Sequence, residues 1–233
     1  MELESTNNNP LLAARGICRD FTTSEGTLEV LKGVDLNVYK GDMAVVVGES
    51  GVGKSTLLHI LGGLDRPTKG QLVVDGESFL DKSETELARF RNKNIGFVFQ
   101  HHYLMEDFTA LENTMMPRLI AGLNKAQASE TAEQLLAEVG LADRMQHRPR
   151  QLSGGEQQRV AVARALANMP KIVIADEPSG NLDIKTGEKL HRLLARLNES
   201  RGVTFLIATH NIELAKSCQR VVKLEGGLLS EAA

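Results

Sequence analysis

The chain has 233 residues, 42% of them hydrophobic and 24% charged, with a net charge of −3. That is enough to bury a core in one large domain, or in one domain with a small insertion. The slight negative balance offers no general attraction to nucleic acid or to an anionic membrane surface, and no apolar run approaches the roughly 18–20 residues that span a bilayer. Cys18 and Cys218 lie far apart and form no CxxC pair, which fits a reducing, cytosolic setting.

The opening MELESTNNNP has acids where a secretory signal has basic residues, so residues 1–10 are expected to form a polar tail. Any dealings with a membrane would then go through a partner. Strand-type runs follow at Leu11–Phe21 and Leu28–Tyr39, joined by the turn-rich TTSEGT. MAVVVG at Met43–Gly48 is the next strand, and it runs into a glycine-rich loop and the apolar helix KSTLLHILGGL. QLVVDG (Gln71–Gly76) and IGFVFQ (Ile95–Gln100) are further strand candidates. From about His101 to Pro149 the strand signal disappears, and Asn124–Val139 places Ala128, Ala132, Leu135, Leu136 and Val139 on one helical face. The alternation resumes with KIVIADE (Lys171–Glu177), a helix near Lys185–Ser200, and TFLIATH (Thr204–His210). The pattern is that of an α/β domain, with residues 101–150 as a mostly helical insertion between core segments 11–100 and 151–233.

Gly48-Glu49-Ser50-Gly51-Val52-Gly53-Lys54-Ser55 fits G-x-x-x-x-G-K-[ST] in the required strand–loop–helix setting, and Thr56 follows. Glycines let backbone N–H groups turn inward to cradle an anion, and the helix that begins there adds its positive end. Lys54 is expected to reach the β- and γ-phosphates of ATP, and the Ser55 hydroxyl to ligate Mg²⁺.

IVIADEP places Asp176 and Glu177 at the carboxyl end of a strand whose preceding residues, Ile172–Ala175, are all apolar. A continuous apolar strand belongs in a parallel sheet with both faces covered. Successive strand residues point to opposite sides, so the two carboxylates are expected to have different jobs. Asp176 would hold Mg²⁺ through water, and Glu177 would polarise the attacking water, a role worth about 10²–10⁴ in rate. LSGGEQQRVAVARAL then has a helix start: Ser153 as N-cap and Glu156 three residues on, with Gly154 and Gly155 between them. Glycines at a helix N-terminus form a second candidate phosphate cradle. Two cradles with only one Lys–Ser loop suggest a site shared between two chains.

Taken together, these motifs resemble those of the ATP-binding-cassette ATPases over nearly the whole chain: GESGVGKST the phosphate loop, LSGGEQ the signature, IVIADEP the second acidic strand. Gln100 is similar to the glutamine of the loop facing the transmembrane subunits, Gly180-Asn181-Leu182-Asp183 to the dimer-contact loop, and His210 to the switch histidine. The resemblance implies a phosphate-loop NTPase core with an N-terminal antiparallel β-subdomain and a helical subdomain, closing head-to-tail with a second copy on two ATP molecules. Ser153, Gly154 and Gly155 of one chain would then meet the nucleotide held by the other. Gln100 would sense the γ-phosphate and complete the Mg²⁺ shell, and His210 would contact the γ-phosphate. Phe21 sits where the family has an aromatic ring on adenine; stacking and plain core packing both stay open for it.

The implied partners are integral membrane subunits, two of them, similar or different, with this chain peripheral on the cytoplasmic face of an inner membrane. Within the family the chain looks most like the group of lipoprotein-releasing, macrolide-exporting and cell-division cassettes. Glu106–Asn113 and HILGGLD are most similar to the lipoprotein-releasing kind, although Glu106 stands where that pattern has proline. A nucleic-acid- or ribosome-directed ATPase of the superfamily is the other class; a single cassette with a slight negative charge disfavours it. His101, His102, Glu106 and Asp107 superficially suggest a metal site. Adjacent histidines on an extended stretch point apart, so Tyr103, Leu104, Met105 and Phe108 are read as apolar anchors for a membrane partner.

Overall fold

The structure, a computed structural model, describes residues 9–24, 26–211, 214–215 and 218–231. Residues 1–8 of the expected polar tail lie outside the described residues.

Leu12–Thr23 (β1) and Gly26–Val38 (β2) pair as a long antiparallel hairpin across the predicted turn. Leu12, Ala14 and Ile17 of β1 are buried, as are Leu31, Val34, Leu36 and Val38 of β2. Lys69–Val74 (β4) pairs antiparallel with the other edge of β1, and the two-residue β5 (Glu77–Ser78) closes a four-stranded sheet of order β2-β1-β4-β5. This is the antiparallel subdomain expected from the sequence.

The second sheet has the order β10-β9-β3-β8-β7-β6. Its parallel strands are β3 (Met43–Val47), β6 (Ile95–Val98), β7 (Ile172–Asp176), β8 (Thr204–Thr209) and β9 (Arg220–Glu225), with β10 (Leu228–Glu231) an antiparallel edge strand. Strands β3, β7 and β8 are almost wholly buried because both faces are covered. One face packs on α1 (Lys54–Leu61), α2 (Glu84–Asn94) and the antiparallel sheet. The other packs on α4 (Lys125–Glu138), α5 (Gly154–Leu166) and α6 (Ile184–Arg201).

Among the described residues, no strand lies between β6 and β7; that interval holds α3 (Ala110–Ile120), α4 and α5. Helix α4 buries Ala128, Ala132, Leu135 and Leu136, the predicted face. The predicted strands recur with ends moved by up to two residues; IGFVFQ stops at Val98 because Phe99–Gln100 leave the ladder. Helix α2 and the β9–β10 hairpin are additional to the sequence reading.

Parallel register decides where the chemistry sits. Val47 pairs with Thr209, and Asp176 with Ala208. The loop after β3, the acids ending β7 and the residues after β8 therefore emerge side by side at the carboxyl edge of the sheet, where open α/β sheets bind their ligands.

Candidate active site

The loop after β3 turns into α1 at Gly53, whose φ of 107° lies in the left-handed region. A side chain there would be strained, and its Cβ would come within 2.7 Å of Val30 Cγ1 on β2. Lys54 begins the helix with its side chain only 7% exposed. Its ammonium donates to the carbonyls of Gly48 (2.9 Å) and Glu49 (3.0 Å) and lies 3.7 Å from Glu177 Oε1. Lys54 is thus held by the loop itself, facing a cavity of about 320 Å³ lined by Ser50, Gly51, Gly53, Ser55, Thr56, Gln100, Glu177 and His210. Residues from four separate stretches of sequence converge there.

Glu177 follows β7 with φ 45°, a strained value for a residue with a side chain. Its amide still reaches Ala208 O on β8 at 2.9 Å. The carboxylate is held from the β8 side: Oε2 accepts from Thr209 Oγ1 (3.1 Å) and the His210 amide (3.4 Å), and Oε1 lies 2.9 Å from His210 Nδ1. The result is a mostly buried carboxylate with a fixed direction.

Asp176 differs in the way the strand alternation requires. Burial pushes its carboxyl above the ordinary aspartate value, partly opposed by the Ser55 hydroxyl and by the charges of His59 and Lys54. Its Oδ1 is buried with no hydrogen-bond partner. An orphaned carboxylate oxygen beside a serine hydroxyl that also lines the cavity offers oxygen donors, the kind that Mg²⁺ prefers. The residues present fit that ion.

Gln100 lies in the segment leaving β6, with Nε2 donating to Asn181 Oδ1 at 3.0 Å. Beyond it His101 and His102 diverge, as the sequence suggested. His101 Nδ1 is 3.5 Å from Asn181 Nδ2, while His102 Nδ1 bonds Gln158 Oε1 on α5. Gln158 Nε2 donates to Phe99 O, so its oxygen must accept and His102 Nδ1 must carry the proton. Burial holds His102 below the ordinary histidine value, with the Gln158 bond partly opposing. Arg164 donates to the carbonyls of His102 (2.7 Å) and Tyr103 (2.6 Å). The segment after Gln100 is thereby fastened to the helix that starts at the signature glycines. Among the described residues, no three His, Cys, Asp or Glu groups converge to hold a metal ion.

Two groups of expected site residues stand apart from this cavity. Ser153 caps α5 in a capping box with Glu156; Ser153 and Gly154 are exposed and Gly155 is buried, and none lines the cavity. Phe21 lies on β1, 37% exposed, with the Arg19 guanidinium 4.6 Å from its ring centroid and covering one face. Thr209, Gln158 and Arg164 were not singled out by the sequence, and Asn181 entered only as part of the stretch similar to the dimer-contact loop. Thr209 had one signal, its place at the end of the β8 strand just before His210.

Comparison with known proteins agrees with this geometry. The family model for ABC transporters matches residues 31–180. The lipoprotein-releasing system ATP-binding protein LolD of Geobacter metallireducens is 52% identical over 217 residues, covering 93% of this chain and 96% of that protein. LolD of Idiomarina loihiensis is 47% identical over 219 residues, covering 94% and 96%. Among solved structures, the dimeric bacterial ABC transporter cassette MJ0796 superposes with a TM-score of 0.87 at 39% identity, covering 94% of this chain and 98% of that one. A dimeric post-hydrolysis state of the same cassette, bound to ADP and Pi, gives a TM-score of 0.86 at 38% identity, with the same coverage. With the phosphate loop, the paired acids and the fold all in agreement, the chain belongs to the ABC transporter family, as one of its ATP-binding, ATP-hydrolysing members.

Proposed function

We propose that this chain is the ATPase subunit of a lipoprotein-releasing transporter. The observation that carries the ATPase chemistry is the meeting of Lys54, Ser55, Gln100, Glu177 and His210 around one cavity. Identity of 46–52% to LolD proteins over more than 90% of the chain carries the transport role.

The reaction is attack of water on the γ-phosphorus of ATP, with a P–O bond formed to the water oxygen and the bond to the β-phosphate oxygen broken, giving ADP and Pi. Residues 48–56 bind the phosphates through loop N–H groups, the start of α1 and the Lys54 ammonium. Glu177, held by Thr209 and His210, orients the water and takes its proton. His210 contacts the γ-phosphate. Ser55, Gln100 and Asp176 would hold Mg²⁺, which when bound neutralises charge on the β- and γ-phosphates. Ser153, Gly154 and Gly155 act on the nucleotide of a second copy of the chain, which accounts for their distance from the cavity here. Phe21 offers adenine the ring face that Arg19 leaves.

Residues 11–100 and 151–233 form the nucleotide-binding core, and residues 101–150 the helical insertion that docks integral membrane subunits, of one kind or two. A groove of about 370 Å³ beside the Gln100 segment, with Leu64, Phe97, Phe99, Pro117 and Ile120 in its lining, supports this reading. Exposed Tyr103 and Met105 support it too. No helix of the described residues is long and apolar enough to cross a membrane. The likeness to LolD supports a peripheral location, which we place at the cytoplasmic face of an inner membrane.

The test is reconstitution with the membrane subunits in vesicles carrying a lipoprotein. The wild-type chain releases the lipoprotein on addition of ATP. Glu177→Gln binds ATP, loses turnover by about 10²–10⁴, accumulates as a dimer in size-exclusion chromatography, and releases nothing. Wild-type turnover by that variant would overturn the assignment of Glu177. Turnover by the wild type without lipoprotein release would overturn the cargo.

A further inference from the structure

Gln100 can serve a hard cation only through its amide oxygen; the amide nitrogen carries two hydrogens and has no lone pair to give. A glutamine side chain can rotate to present either end, so something must choose. The hydrogen bonds around Asn181 make that choice. Asn181 Nδ2 donates to the backbone carbonyl of Gln100 at 3.1 Å. A carbonyl only accepts, so this bond fixes which end of the Asn181 amide is nitrogen. Asn181 Oδ1 must then be the acceptor, and it receives Gln100 Nε2 at 3.0 Å. With its nitrogen so engaged, Gln100 has one end left, Oε1. That oxygen has no hydrogen-bond partner among the described residues, and the side chain lines the phosphate cavity. Gly180 lets the loop come this close: a Cβ there would approach Gln100 Nε2 to 2.9 Å.

We propose that Asn181 is the positioning residue that fixes the amide orientation of Gln100, so that Oε1 rather than Nε2 faces the metal and phosphates. The proposal rests on the reading of Gln100 as an Mg²⁺ ligand. It assigns Asn181 a duty separate from touching ATP or the second chain: it is the outer-shell partner that orients a ligand, a role whose loss typically costs about 10–100-fold in metal affinity. It also places the switch for Gln100 in the loop between Glu177 and α6, so that displacement of residues 180–183 releases the amide to rotate.

The experiment measures affinity of the full chain for a non-hydrolysable ATP analogue by calorimetry, once with Mg²⁺ and once with EDTA. The ratio of the two isolates the contribution of the metal. Asn181→Ala is expected to keep the EDTA affinity and melting temperature of the wild type while its Mg²⁺-dependent gain falls by about tenfold or more. Gln100→Ala is expected to lose the gain to a similar degree, and adding Asn181→Ala to it to cost nothing further, because Asn181 acts through Gln100. An unchanged gain in Asn181→Ala beside a reduced one in Gln100→Ala overturns the proposal and leaves Gln100 as a ligand. Additive losses in the double variant overturn it as well. No effect from Gln100→Ala overturns both the ligand reading and the proposal built on it.

Discussion

The carboxylate proposed as the catalytic base is set by its neighbours more than by its own strand. Glu177 stands at φ 45°, outside the geometry of the strand it follows, and its oxygens are bonded from β8 and the residue after it. Thr209 is fully buried; its hydroxyl donates to Glu177 Oε2 and accepts from the Asn211 amide at 3.0 Å, so it ties the proposed base to the residues after β8. A hydrogen bond to a charged group contributes about 1.5–3 kcal/mol. If most of that bond is needed to keep the carboxylate aimed at water, Thr209→Val, close in volume and apolar, should lower kcat by roughly tenfold or more. ATP affinity should be little changed, because Thr209 does not line the cavity. Steady-state kinetics beside nucleotide binding checks this; an unchanged kcat would mean that His210 alone suffices to aim Glu177. At this scale the sequence was informative where a motif carries its own chemistry, as at Lys54, Asp176 and Glu177. It was silent on Thr209 and on the bonds of Asn181 to Gln100, which exist only once β8 and the 178–183 loop are folded against other segments.

Three helices start in the same way, and that shared device carries a pH signature. Ser83–Glu86 in α2, Thr109–Glu112 in α3 and Ser153–Glu156 in α5 are reciprocal capping boxes. Each glutamate is held below the ordinary glutamate value by hydrogen bonds from its capping residue, chiefly the side chain for Glu86 and the backbone for Glu112 and Glu156. A lowered folded-state value means that the unfolded chain takes up protons first as pH falls. The stabilisation is therefore complete above the unfolded value, near pH 4.3, and is lost as pH drops through the lower folded values. Replacing all three with glutamine should flatten the fall in melting temperature below about pH 4.3 while changing its slope little at pH 6–8. Melting curves across that range check it, and equal acid slopes would remove the boxes as the cause. Ser153–Glu156 could be read from S-x-x-E before an apolar run, and α4 from its apolar face. Helix α2 could not, because ETELARFRNKN buries only Leu87, Phe90 and Asn94 and shows too thin a stripe. The β9–β10 hairpin escaped for a related reason: at the sheet edge its buried positions are interleaved with Arg220, Lys223 and Glu225.

At the scale of the molecule, one stretch joins three parts. Gln100 is tied to the 178–183 loop by Asn181, and His102 and Tyr103 after it are tied to α5 by Gln158 and Arg164. Asn113, buried in α3, accepts from Met105 N and donates to the carbonyls of Met105, Phe108 and Thr109. These bonds give Tyr103–Phe108 a contiguous physical connection to the signature helix and to Gln100. Glu106 lies on the outer side of this stretch, paired with Arg150 at 2.5 Å, and both side chains are well exposed. An exposed pair of this kind contributes about 0–1 kcal/mol. Breaking it should leave the fold and the phosphate cavity intact. Glu106→Lys is expected to keep the basal ATPase of the isolated chain while stimulation by the membrane subunits falls several-fold. The exchange Glu106→Lys with Arg150→Glu restores the internal pair with its charges reversed, so it separates the two causes. If the membrane partner reads the charge at position 106, stimulation stays low in the exchange variant. If only the internal pair matters, stimulation returns, and the partner's contact must then be sought in the apolar residues Tyr103 and Met105. Loss of basal activity in the single variant would contradict both, because it would place Glu106 in the catalytic machinery from which its exposure and its Arg150 partner separate it.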